Sequence, residues 1–197
     1  MMAIVLASAS PRRRELMEQF CGKDLVILPA KGEEIVPHNA GPGETVEALA
    51  RGKAREVAAH LRAGAAGSGE DLVIGADTIV WHEGRIFGKP HSREEAAAML
   101  RSLSGRTHEV YTGISLICGD LELTEHEKTA VTFRTMTEKE IMNYIDTGEP
   151  MDKAGAYGAQ GLGALFVSRI EGDFFNVMGL PLCRLGLMLK KTGVELL

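Results

Sequence analysis

Seven consecutive residues, Ser8-Ala9-Ser10-Pro11-Arg12-Arg13-Arg14, put three arginines where a helix should begin. Ser10 has the chemistry of an N-cap, and Pro11 suits the first helical position, where its missing N–H costs nothing. Arg12 and Arg13 then fall in the first turn, beside the positive end of the helix dipole. Each cation there is unfavourable by roughly 0.3–1 kcal/mol. A bound polyanion reverses that sign, because free backbone N–H groups, a serine hydroxyl and guanidinium forks together suit a phosphate chain. A solvated basic turn is the alternative reading of this segment alone.

Asp77 is the strongest single candidate for reaction chemistry. It sits in the apolar run Asp71–Val80, where a carboxylate is costly to desolvate unless it is paired, hydrogen-bonded or metal-bound. It has the chemistry of a general base or of an oxygen ligand for Mg²⁺ or Mn²⁺. A structural role, capping the end of its strand through Thr78, is the alternative. Lys89, held between Gly88 and Pro90, offers a point charge for phosphate, although solvated loop lysines are commoner. Lys53, flanked by Arg51 and Arg55 in an amphipathic segment, reads on its own as a solvent-facing charge. Glu33-Glu34 offers either a further carboxylate for a divalent metal or plain surface charge. The segment Asp152–Gly163 carries glycines at 155, 158, 161 and 163, which permit close approach of a ligand. Within it, Gln160 has both the donors and the acceptors needed to read a nucleobase edge. The segment matches neither the P-loop nor the dinucleotide glycine pattern.

The elements that must carry these residues follow from periodicity. Ala3–Ala7 reads as a buried strand leading into a helix over Pro11–Phe20, and Asp24–Leu28 as a second strand. Glu33–Gly43, with two prolines and two glycines, reads as an exposed loop. Val46, Leu49, Ala50, Ala54, Val57, Ala58 and Leu61 then recur at helical spacing over Glu44–Arg62, and Gly64–Gly69 reads as a connector. Asp71–Val80 reads as a strand interrupted at Gly75-Ala76-Asp77-Thr78, with a turn at Glu83-Gly84. Ser92 caps a helix to Leu103, with Glu95 completing a capping box. Thr107–Cys118 and Leu121–Arg134 form a long hairpin about Gly119-Asp120. Thr137 caps a helix to Thr147, Ala164–Ile170 is a strand, and Pro181–Lys191 is a helix ended by Gly193. This order specifies an α/β protein with a mixed sheet.

Bulk properties narrow the function classes. A net charge of −5 gives no general attraction for nucleic acid or an anionic membrane, so a basic site must be a local pocket for a small anion. Three widely spaced cysteines form no Cys-x-x-Cys pair, and the six histidines show no zinc spacing. A reducing, cytoplasmic setting is expected, with no signal peptide and no membrane span.

Five motifs together resemble the Maf family: Ser8-Ala9-Ser10-Pro11-Arg12-Arg13, Gly75-Ala76-Asp77-Thr78, Gly88-Lys89-Pro90, Ser104-Gly105-Arg106-Thr107-His108 and Gly155-Ala156-Tyr157-Gly158-Ala159-Gln160-Gly161. Members are house-cleaning nucleoside triphosphate pyrophosphatases, also discussed as septum-formation inhibitors. The resemblance runs from Leu6 to Pro181 and implies one domain over residues 1–197. It implies an elongated mixed sheet with flanking helices forming two lobes around a cleft, similar to inosine-triphosphate pyrophosphatases, and a homodimer. Arg12, Thr78 and Gln160 match the dTTP/UTP type and not the 7-methyl-GTP type. Asp77 matches the family's proton acceptor. Ser8, Arg13, Glu34, Lys53 and Lys89 match positions linked to phosphate or metal binding, with Mg²⁺ or Mn²⁺ as cofactor and Glu34 and Asp77 as its ligands. The implied reaction is hydrolysis of dTTP or UTP to the monophosphate and pyrophosphate, with CTP or modified pyrimidine nucleotides as a broader substrate set. A nucleotide-binding regulator of cell division with little turnover is the alternative, and it would need no base.

Overall fold

The computed structural model describes residues 3–21, 25–64 and 71–194, so the expected connector at Gly64–Gly69 lies, beyond Gly64, outside the described residues. The strands are β1 (Ile4–Leu6), β2 (Leu25–Ile27), β3 (Leu72–His82), β4 (Arg85–Phe87), β5 (Thr107–Cys118), β6 (Leu121–Phe133) and β7 (Val167–Glu171). The helices are α1 (Pro11–Cys21), α2 (Pro42–Ala63), α3 (Arg93–Leu103), α4 (Glu138–Asp146), α5 (Phe174–Met178) and α6 (Leu182–Lys191). The strands make one mixed sheet in the order β2-β1-β3-β5-β6-β7, with β4 hydrogen-bonded to the end of β3. β1 runs parallel to both β2 and β3, whereas β3–β4 and β6–β7 are antiparallel.

The chain divides into two compact units. The first comprises residues 1–77, 112–127 and 179–197. One of its core clusters gathers Val5, Ala7, Ala54, Val57, Ala58, Val73 and Ile117, drawn from β1 and the residue after it, α2, β3 and β5. Gly75 and Gly113 set how closely α2 lies on this sheet. A Cβ at Gly75 would collide with the Ala50 carbonyl and stand 2.8 Å from the Ala54 nitrogen. One at Gly113 would collide with the Val46 carbonyl and stand 2.8 Å from the Glu47 nitrogen. The second unit comprises residues 78–111 and 128–178, with Leu100, Leu103, Val110, Phe133, Ile141, Ile145 and Tyr157 in its core.

Four sequence expectations need correction. β3 is continuous through Gly75-Ala76-Asp77-Thr78, because the glycine is there to admit a helix backbone and not to break the strand. Helix α2 begins at Pro42, earlier than Glu44, since proline at the first position and a Glu44 carboxylate accepting from the Gly41 N–H complete its start. Ser92 does accept from the Glu95 N–H at 3.1 Å, but the Glu95 carboxylate reaches back to the His91 N–H at 2.7 Å, so the reciprocal box is not closed. Residues Leu162–Phe166 form a 3₁₀ turn, and the expected strand from Ala164 starts only at Val167. The Thr137–Glu140 box is complete, and Gly193 ends α6 with φ +80°.

Candidate active site

In the first unit the chemistry starts from the short loop between β1 and α1. Ser10 caps α1 weakly, its hydroxyl 3.5 Å from the Arg13 N–H, while Ser8 Oγ accepts from the Ser10 N–H at 3.2 Å. Arg13 does not stay in solvent. It is 8% exposed, and its Nε donates to the Gly179 carbonyl at 2.7 Å. Its Nη1 donates to the Ala76 carbonyl at 2.9 Å and to Ser8 Oγ at 3.2 Å. Burial pulls its pKa down, with Asp77 acting in the opposite direction. The first-turn cation is therefore satisfied partly by the protein itself, which the dipole argument did not foresee. Arg12 is half-buried at the same helix start.

Asp77 is buried on β3, one residue beyond the carbonyl that Arg13 holds. Successive strand residues alternate faces, so Asp77 and Gly75 point to the same side. Gly75 admits α2 on that side, and Lys53 of α2 then reaches Asp77 Oδ1 in an ion pair. The same ammonium holds Glu34 Oε1 at 2.8 Å. Two carboxylates from distant segments are thus neighbours across one nitrogen.

Lys53 corrects its own sequence reading: it is not a free surface charge. It follows Val46 by seven residues, two helical turns, and so borders the apolar face. Arg51 and Arg55, four apart, project to the other side, where Arg55 forks onto Glu122 of β6 at 2.8 Å. Of the Glu33-Glu34 pair, Glu34 is the residue whose carboxylate reaches Lys53. Among the described residues no three His, Cys, Asp or Glu side chains gather as a metal cage. Two convergent carboxylates with further oxygens from water and phosphate are what a hard cation such as Mg²⁺ takes beside a nucleotide, so the donor set fits.

In the second unit, Thr78 follows Asp77 directly on β3, half-buried. Lys89 is exposed in the turn after β4, and Gln160 is exposed in the glycine-rich segment. The two loops are joined where the Gly155 N–H donates to the Gly88 carbonyl at 3.0 Å. Tyr157 anchors the segment from below: its hydroxyl meets His108 Nε2 at 2.8 Å, and its ring stands edge-on to Phe133 at 4.7 Å between centroids. Burial drives the His108 pKa down to about 3, so that imidazole is neutral at ordinary pH. In sequence these glycines read as room for ligand approach. The structure shows them against the protein's own side chains, since a Cβ at 155 would meet Val80 at 2.8 Å and one at 163 would meet the Tyr144 hydroxyl at 2.6 Å.

The sequence carrying these residues is matched over nearly its whole length by the family model described as Maf-like protein, which covers residues 3–192. The chain belongs to the Maf family. Relatives of this Maf protein include the dTTP/UTP pyrophosphatase of Moorella thermoacetica, 51% identical over 99% of this chain and 97% of the relative. The dTTP/UTP pyrophosphatase of Caldicellulosiruptor bescii is 48% identical over 100% of this chain and 98% of its own. Among solved structures, a HAM1 protein from Coxiella burnetii superposes with a TM-score of 0.51 at 19% identity, covering 97% of this chain and 100% of that one. That likeness concerns the fold. Among the described residues no helix is long and apolar enough to cross a membrane.

Proposed function

We propose that this Maf protein hydrolyses dTTP and UTP at the α–β phosphoanhydride, releasing the nucleoside monophosphate and pyrophosphate. The observation that carries the reading is the buried Asp77 carboxylate, sharing the Lys53 ammonium with Glu34. Two homologues at about half identity bear the same activity in their names.

Asp77 takes the proton from the attacking water. One P–O bond forms to that water as the bridging α–β P–O bond breaks, and pyrophosphate carries the leaving charge. A positioned general base contributes typically about 10²–10⁴-fold to such a step. Lys53 holds Asp77 in place and, with Ser8, Arg13 and Lys89, supplies positive charge and donors for the phosphates. Glu34 and Asp77 are the residues that would hold Mg²⁺ or Mn²⁺, whose chemistry here is to offset charge on phosphate oxygens. Arg12, Thr78 and Gln160 select the pyrimidine base. The setting is cytoplasmic and the working form a homodimer, the latter read from the family resemblance and checked by sedimentation.

The test is pyrophosphate release from dTTP, UTP, CTP and 7-methyl-GTP with Mg²⁺ or Mn²⁺. Preference for dTTP and UTP is expected, together with a loss of at least about 10²-fold in kcat for Asp77→Asn. Binding of nucleotide with no release by the wild-type protein would refute the enzyme reading. Near-normal turnover in a folded Asp77→Asn protein would remove Asp77 as the base.

A further inference from the structure

Besides its own turn bond, from the Gly161 N–H to the Gly158 carbonyl at 3.3 Å, the glycine-rich segment that carries Gln160 is held by side chains from upstream of it. The Glu149 carboxylate, half-buried at the end of the turn after α4, accepts from the Leu162 N–H at 2.9 Å and the Gly163 N–H at 3.2 Å. The same carboxylate accepts from the Tyr144 hydroxyl at 2.8 Å, and the Tyr144 oxygen in turn accepts from the Gly158 N–H at 3.1 Å. Three backbone N–H groups, at 158, 162 and 163, are thereby tied to two side chains, on both sides of Gln160. The fit leaves no room for slack. A Cβ at Gly161 would lie 2.6 Å from Glu149 Cδ, and one at Gly158 would lie 2.7 Å from Cε of Lys153. Lys153 itself donates to the Glu149 carbonyl at 2.7 Å. Upstream, Ala156 is pinned in a left-handed conformation at φ +60°, which an alanine keeps only where its surroundings dictate the backbone.

We infer that Glu149, acting through Tyr144 and the amides of Leu162 and Gly163, is the positioning residue that fixes the Gln160 loop and so sets base discrimination. Glu149 touches no reacting atom in this scheme. Its part is to hold one loop conformation, so that the Gln160 amide meets the base in a single orientation. The inference rests on the assignment of base selection to Gln160. Although burial pushes the Glu149 carboxyl up, the hydrogen bonds from Leu162, Tyr144 and Gly163 and the charge of Lys153 leave its pKa below the usual value, so the tether is ionised at neutral pH.

The experiment is a double-mutant cycle between Glu149→Gln and Gln160→Ala, read by kcat, KM and the dTTP-to-CTP ratio of kcat/KM. Hydrogen exchange at the Leu162 and Gly163 amides is measured alongside. In Glu149→Gln one acceptor oxygen becomes an NH₂ facing a donor. The expected result is a KM for dTTP raised about tenfold with kcat within about twofold, discrimination reduced about tenfold, and faster exchange at both amides. Glu149→Gln added to Gln160→Ala should cost little more discrimination than Gln160→Ala alone. Tyr144→Phe, which removes the shared hydroxyl, is the second variant should Glu149→Gln not fold, and it should shift KM and discrimination the same way. A merely structural residue would lower Tm and active fraction with KM and discrimination intact, and that outcome overturns the inference. So does full additivity in the cycle. If Gln160→Ala itself leaves discrimination unchanged, base selection by Gln160 fails. The tether then stands if Glu149→Gln speeds exchange at 162 and 163, and falls if it does not.

Discussion

Replacing Gly75 by alanine tests how the sheet and α2 bring Lys53 to Asp77. The added Cβ would stand 2.8 Å from the Ala54 nitrogen and 2.9 Å from its Cβ, and closer still to the Ala50 carbonyl oxygen. Ordinary contacts of this kind lie at about 3.5–4.0 Å, so α2 must lift by roughly 1 Å. Overpacking costs about 1–3 kcal/mol, and the upper end applies because two of the colliding atoms belong to helix backbone and cannot rotate away. Reduced freedom of the unfolded chain returns about 0.4–1 kcal/mol. The net loss is then about 2–3 kcal/mol, or a Tm lower by roughly 5–10 °C for a chain of this size. The displacement also moves Lys53 off the Asp77 side of the sheet, so kcat/KM for dTTP should fall by about tenfold or more in the folded fraction. Gly52→Ala is the matched control on the same helix: its Cβ would meet nothing within 4 Å. Helix propensity there should stabilise by up to about 1 kcal/mol. The measurements are scanning calorimetry of both variants and pyrophosphate release at matched folded fraction. A Gly75→Ala Tm within 2 °C of wild type, on the order of the shift from a single kcal/mol, would refute the reasoning. So would an equal destabilisation of Gly52→Ala.

Other outcomes follow from the same geometry. Arg13→Lys should lower stability by about 1–3 kcal/mol as well as activity, because the Ala76 and Gly179 carbonyls lose their guanidinium donors; chemical denaturation measures it. Lys89→Ala, at an exposed turn, should instead raise KM with the Tm within about 1 °C of wild type. His108 carries a pH signature: its folded pKa of about 3 lies below the 6.5 of an ordinary histidine, so the unfolded chain binds the extra proton between those limits. Stability from this residue is therefore complete above pH about 6.5 and falls on acidification, by up to about 1.4 kcal/mol per pH unit. His108→Gln should flatten that acid limb by about one proton in a series of melts from pH 7 to pH 4.

The sequence held the start of α1, the hairpin strands to within one residue and the Thr137 cap, because caps, alternation and turn glycines are local signals. Asp77 was legible because an unpaired carboxylate in an apolar run demands a partner. That partner was not legible. Lys53 reads as surface when only Arg51 and Arg55 are weighed, although its seven-residue spacing from Val46 places it beside the apolar stripe. The purpose of the glycines was also hidden. Gly75 reads as a strand breaker and the 155–163 glycines as room for a ligand, whereas both accommodate the protein's own backbone or side chains. Glu149 left no motif at all, since its role depends on amides 13 and 14 residues further on.

The hydrogen bond from Arg13 to Gly179 spans 166 residues. Arg13 emerges early in synthesis, and at about 5–20 residues per second its acceptor follows roughly ten to thirty seconds later. The unit holding Asp77 is likewise assembled from three separated stretches of chain, the last opening at Gly179. A nascent or prematurely stopped polypeptide thus carries the cations and the carboxylate without the scaffold that aligns them. On the proposed reading, the arrangement around Asp77 awaits the last stretch of chain, from Gly179 onward.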